Sequence, residues 1–110
     1  MRVWDLSPEM LCDKHLGGEH REIHAVYNIL TMGHSGYSHH PETKRWAGKV
    51  DALVRRHDTI AREMVRRGVN HKSPLTSIGD MDTQDKLVNT IEEQITRIRS
   101  KGCKCRLEII

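Results

Sequence analysis

Apolar residues return at helical intervals along four stretches of the chain. The first is brief: "LSPEM" offers Ser7 as an N-cap, Pro8 at the first helical position and Glu9 near the positive end of the dipole. From Glu19 onward Ile23, Val26, Tyr27 and Leu30 recur about a turn apart up to Gly33, which predicts a second helix over about residues 18–32. Gly17 and Gly18 weaken any helix that runs through them. After the turn-rich "GHSGYSHHPE", Pro41 suits the first turn of a third helix that Gly68 can end. On a helical wheel its Trp46, Val50, Leu53, Ile60 and Met64 fall within about 80° of one another, while Lys44, Arg55, Arg62 and Arg66 point the opposite way. A second loop, "NHKSPLTSIGDMD", precedes Leu87, Ile91, Ile95 and Ile98, which mark a fourth helix ending near Gly102. The tail "CKCRLEII" reads as a short strand or an extended segment packed on the helices. The pattern predicts a mainly α protein: one compact domain over residues 1–110, a helical bundle of about four helices.

Composition sharpens this picture. A chain of 110 residues buries roughly two-thirds of the surface its unfolded form exposes, enough for one modest core. With no phenylalanine, two tryptophans and two tyrosines, that core rests on aliphatic side chains and methionine. No run approaches the ~18 apolar residues that span a bilayer, and "MRVWDLSPEM" lacks the apolar region of a signal peptide. The expectation is therefore no membrane and an intracellular location. Three cysteines, Cys12, Cys103 and Cys105, are an odd number without secretory context, so reduced thiols are expected rather than a disulfide framework.

The net charge of +3 is uneven. Residues 1–43 hold 3 basic and 6 acidic side chains, residues 44–72 hold 9 and 3, and residues 73–110 hold 6 and 6, so the middle segment alone carries +6. A basic segment beside an acidic one suggests a polyanion held near carboxylates, although a charged helix face can also be merely solvated.

The densest chemistry lies in "HLGGEHREIH", residues 15–24. His20 and His24 are four apart, as in the H-E-x-x-H zinc motif. That motif has its glutamate directly after the first histidine, whereas Glu22 lies about 200° round the helix from His20. A zinc site built from Cys103 and Cys105 with a histidine is a second possibility, weakly signalled by C-x-C alone. If the helix extends back across the glycines, His15, Glu19, Glu22 and Val26 share a stripe on which one carboxylate lies near another and near an imidazole. Such crowding raises a carboxyl pKa toward acid–base use near neutrality. The competing reading is a solvated helix end with Arg21 as counter-charge.

"MRVWDLSP", "HLGGEHREIHAVY", "GYSHHPETKRW" and "LVRRHDTIAREMVRRGVN", in that order over about residues 1–75, resemble the pyrimidine-dimer DNA glycosylase (endonuclease V) family. The resemblance implies a compact, mainly helical domain and a DNA-repair glycosylase with an associated abasic-site lyase activity that needs no metal or other cofactor. It implies a nucleophilic α-amine at Met1, Glu22 as the catalytic carboxylate, and Arg2, His15 and Arg21 along the phosphates or the active site. The basic segment then gains a use: Lys44, Arg45, Arg55, Arg56, Arg62 and Arg66 are expected to neutralise phosphates of damaged double-stranded DNA. A monomer is expected, in the cytoplasm and associated with the nucleoid, or in the host cytoplasm if the chain is viral. Two features depart from the family's phage branch: Ala25 stands where that branch has a further arginine, and its longer, aromatic-rich C-terminal segment has no counterpart here. The alternatives are a non-catalytic DNA-binding domain and a metal-dependent protein using its histidines or cysteines.

Overall fold

One helix dominates the architecture because its apolar positions never lose phase. In the computed structural model, which describes residues 2–33, 39–69 and 73–106, α1 runs Asp13–Met32, straight through Gly17 and Gly18. Leu16, Glu19, Ile23 and Val26 line its buried face, and their burial outweighs the propensity lost at the glycines. The helix therefore extends back past the expected start at residue 18, and His15, Glu19, Glu22 and Val26 do share its length.

The single helix expected from Pro41 to Gly68 is two helices, α2 (Pro41–Trp46) and α3 (Val50–Arg66). Gly48 separates them with φ 75°, a left-handed conformation that ends α2 and that a residue with a Cβ adopts only at a cost. The apolar stripe survives the break: Trp46, Val50, Leu53 and Ile60 are buried and Met64 is half-buried. Asp80 caps the restart, its carboxylate accepting from the backbone N–H groups of Val50 at 2.8 Å and Asp51 at 2.7 Å. Asp51 returns the favour, accepting from Ile78 N at 2.7 Å and Gly79 N at 3.0 Å. The irregular segment after residue 73 is thereby fastened to the start of α3.

α4 (Ile91–Arg99) is shorter than its apolar repeat, because a Thr90–Glu93 capping box fixes its start and leaves Leu87 exposed outside it. "LSPEM" forms only one 3₁₀ turn at Pro8–Met10, and the Ser7 hydroxyl bonds the Glu9 carboxylate instead of capping the backbone. Residues 103–106 are extended, with Arg106 N donating to Met10 O at 2.6 Å, and no strand forms among the described residues. Residues 34–38 of the expected turn-rich stretch and the last four residues of the expected tail lie outside the described residues.

The core joins Leu16, Ile23 and Val26 of α1 to Leu53 and Ile60 of α3 and Ile98 of α4. Val3, Trp4 and Leu6 thread into the same core as extended chain. Among the described residues the result is an all-helical globule of four α-helices, none of which is long and apolar enough to cross a membrane.

Candidate active site

The N-terminal segment is held by polar bonds made inside the core. Val3 O accepts from Arg45 at 2.9 Å, Trp4 N donates to Glu19 Oε1 at 3.2 Å, and Asp5 N donates to Gln94 Oε1 at 2.8 Å. Arg45 closes the network, binding Glu42 Oε1 at 2.7 Å, Asp5 Oδ1 at 3.0 Å and Lys86 O at 2.8 Å. Trp46 Nε1 also donates to Glu42 Oε1, at 3.2 Å. Each buried charge here has a charged or hydrogen-bonded partner, the condition under which burial is tolerated. Arg2 leaves this network toward the surface, its guanidinium lying 5.2 Å over the Trp4 ring and bonding the Asn89 side chain. Met1 lies outside the described residues.

Two glutamates one turn apart on α1 have opposite fates. Glu19 is fully buried and accepts from Arg56 Nε at 2.5 Å and Arg56 Nη2 at 3.1 Å, besides Trp4 N. Burial pushes its carboxyl upward, against the pull of the Arg56 guanidinium. Glu22 is half-buried and makes no hydrogen bond or ion pair with any described residue. Gly18 lies one turn before Glu22. A Cβ at Gly17 or Gly18 would meet nothing nearer than the Arg21 guanidinium, at 3.9 Å. The glycine pair thus leaves a bare strip of helix backbone beside Glu22, covered only by an exposed, flexible arginine.

The basic residues expected to face phosphates divide into two groups. Lys44, Arg55, Arg62 and Arg66 are exposed, as is Arg21; Arg55 is loosely paired with Asp82 at 3.5 Å, whereas Arg66 holds Glu63 in a two-pronged bond. Arg45 is buried, and Arg56 is largely covered and held in a two-pronged bond to Glu19. For these two the expectation of a phosphate contact gives way to an interior role, because their guanidinium groups are already engaged by protein acceptors.

His15 faces two thiols. Its Nδ1 lies 3.2 Å from Cys12 Sγ and 3.3 Å from Cys105 Sγ, and its ring meets Trp4 edge-on at 6.1 Å between centroids. Burial, with the charges of Lys101 and Lys14, lowers its pKa. Burial pushes the Cys105 thiol up to about 12. Two groups could hold a metal among the described residues: Cys12, His15, Cys103 and Cys105, and His20, His24 and His57. The histidine trio bridges α1 and α3, with ring centroids 4.6 to 5.2 Å apart. His57 was not singled out by sequence, since a lone histidine in a charged helix carries no visible signal. The Cys12–His15 pairing had one, an i, i+3 spacing on a helix, but its completion by Cys103 and Cys105 lies some 90 residues away.

Over residues 1–77 the chain matches a family model described as pyrimidine dimer DNA glycosylase. Comparison with curated proteins and with solved structures gave no match in either case.

Proposed function

From the premise that this chain belongs to the pyrimidine dimer DNA glycosylase family, a family of enzymes acting on damaged DNA, we propose that it removes the damaged base through a Schiff base and then breaks the strand by β-elimination. The nucleophile is the α-amine of Met1. An α-amine of ordinary pKa about 7.7–8.0 is partly neutral at pH 7, and the positive charges of Arg2 and Arg21 favour that neutral form. Its lone pair attacks C1′ of the damaged nucleotide and the glycosidic electron pair leaves with the base; the amine then loses a proton and the C1′–O4′ bond opens, O4′ taking up a proton, to give the imine. The imine acidifies the C2′ proton. Glu22 takes that proton, the electrons break the C3′–O bond, and the 3′ phosphate departs; water then hydrolyses the imine and frees the enzyme.

The observation that carries this reading is Glu22 itself, a half-buried carboxylate with no partner among the described residues, one turn beyond a glutamate wholly committed to the fold. The bond from Trp4 N to Glu19 supports it, because it fastens the N-terminal chain to the helix that carries Glu22, while Arg45 and Gln94 hold Val3 and Asp5 on either side. Only three residues separate Trp4 N from the Met1 amine, a tether of about 10 Å when fully extended. On the outer faces, Arg21, Lys44, Arg55, Arg62 and Arg66 supply phosphate contacts, and a dimer lesion, already poorly stacked, costs less to kink or extrude than intact duplex.

Borohydride trapping on ultraviolet-irradiated and on abasic duplexes tests the assignment. Glu22→Gln is expected to keep the fold and DNA affinity while losing strand cleavage by ~10² to 10⁴-fold, the usual effect of removing an acid–base group. An uncleaved Gly-Ser extension ahead of Met1 is expected to abolish trapping with binding nearly intact, since a displacement of even 1 Å disrupts a near-attack geometry. Near-normal cleavage by Glu22→Gln removes Glu22 from the mechanism, and undiminished trapping by the extended chain moves the nucleophile to a lysine such as Lys14.

A further inference from the structure

The excision reading leaves without a role two side chains at the start of α1 and two after α4, and they converge. We infer that Cys12, His15, Cys103 and Cys105 form a structural zinc site that clamps the extended segment after α4 onto the N-terminus of α1. One ligand atom from each of the four lies within 4.8 Å of every other. A tetrahedral zinc with ordinary Zn–S and Zn–N bonds sets its sulfur and nitrogen ligands about 3.5 Å apart and its sulfurs about 3.8 Å apart. The two sulfur-to-nitrogen distances, 3.2 and 3.3 Å, already approach that spacing.

Protein hydrogen bonding alone serves this cluster poorly. His15 Nδ1 faces two thiols at once, and one ring nitrogen cannot both donate and accept. A cation shared by the imidazole and the sulfurs removes that conflict, because each ligand atom then only has to offer one lone pair. Cys12 N already donates to Cys105 Sγ at 3.1 Å, the kind of N–H···S bond that steadies a thiolate ligand. Deprotonation of Cys103 gives up only its long contact to Ile98 O, at 3.7 Å.

Charge and topology agree. Zinc with three thiolates carries a net −1, and Lys14, Lys101, Lys104 and Arg106 line the groove beside the cluster together with Cys12 and Cys103. Cys12 and His15 open α1, where the helix dipole favours thiolate, and Cys103 and Cys105 leave α4 on extended chain. Four protein ligands close the coordination shell, so the metal holds the fold and offers no open position to substrate. The residues also fit zinc better than the histidine trio does, which offers three neutral donors and no thiolate.

The untagged chain, expressed with zinc and dialysed into metal-free buffer, is expected to retain about one zinc per molecule by elemental mass spectrometry. The pair Cys103→Ser and Cys105→Ser is expected to retain none, and His20→Gln with His24→Gln to retain all of it. Because a cysteine variant can lose metal by unfolding, cobalt substitution of the native chain provides a second measurement: three thiolates give intense sulfur-to-cobalt charge-transfer absorption. A metal-free native protein overturns the inference. So does zinc that follows His20 and His24, a cobalt spectrum without thiolate bands, or a Cys12–Cys105 disulfide in protein purified under reducing conditions. None of these readouts depends on DNA cleavage, so the zinc site and the excision reading stand or fall separately.

Discussion

A glycine in the middle of a helix costs about 1 kcal/mol relative to alanine, and α1 carries two in succession where nothing but the Arg21 guanidinium comes within 4 Å of an added methyl. No contact inside the protein requires them. Their value lies in what approaches from outside, beside Glu22. Gly18→Ala is therefore expected to raise the unfolding free energy by roughly 0.5–1 kcal/mol while cutting strand cleavage by about 10²-fold, since a methyl there displaces the substrate backbone. Denaturant unfolding and single-turnover cleavage measure the two effects; a variant that gains stability at full activity shows that the bare strip has no part in catalysis. At this scale local chemistry left Glu22 undecided between an acid–base group and a solvated helix end, and the family resemblance singled it out; Glu19, identical in type, is told apart by Arg56, 37 residues away.

Between elements, the joint that titrates is the one at the end of α3. Glu63 receives Arg66 Nε at 2.8 Å and Arg67 Nε at 2.7 Å, and Arg67 goes on to Asp13 Oδ1 at 2.9 Å and Pro8 O at 3.2 Å. The hydrogen bond from Arg66 leads in lowering the Glu63 pKa from its ordinary 4.5 to about 2, with burial opposing and Arg67 adding to the fall. A depressed carboxyl stabilises the fold above its unfolded pKa, and this contribution fades as pH falls from about 4.5 towards about 2. Solvent around the exposed Arg66 keeps it modest. Glu63→Gln is expected to flatten stability against pH across that window, with little change in the slope above pH 5; an unchanged acid limb by chemical denaturation excludes the joint as its source. Gly48 marks the limit of legibility for elements. The apolar stripe from Trp46 to Met64 runs in phase across it, so periodicity saw one helix, and only the capping bonds from Asp80 reveal why the chain restarts at Val50.

For the molecule as a whole, the surface charge sorts as the helical wheel had it: Lys44, Arg55, Arg62 and Arg66 lie outside. Arg45 and Arg56, grouped with them by charge alone, belong to the interior, because a guanidinium looks the same in sequence whether its partner is phosphate or a distant carboxylate. The two sets are expected to fail differently. Replacing Arg55 and Arg62 by glutamine leaves stability nearly unchanged and makes the salt dependence of DNA binding shallower by about two units of log slope. Arg45→Gln costs about 3–5 kcal/mol of stability by stranding Glu42 and Asp5. If the surface pair leaves affinity and slope untouched, the DNA lies on another face. The polar knot around Arg45 also sets a timetable. Gln94 receives Asp5 N and Asn89 receives Arg2, while Lys86 O holds Arg45, so the N-terminal segment is fastened in part by residues beyond the span that matches the family. A ribosome delivers those partners last. Closing contacts that span more than 80 residues is the slow kind of step, so the last bonds on the N-terminal segment are expected to form late in folding.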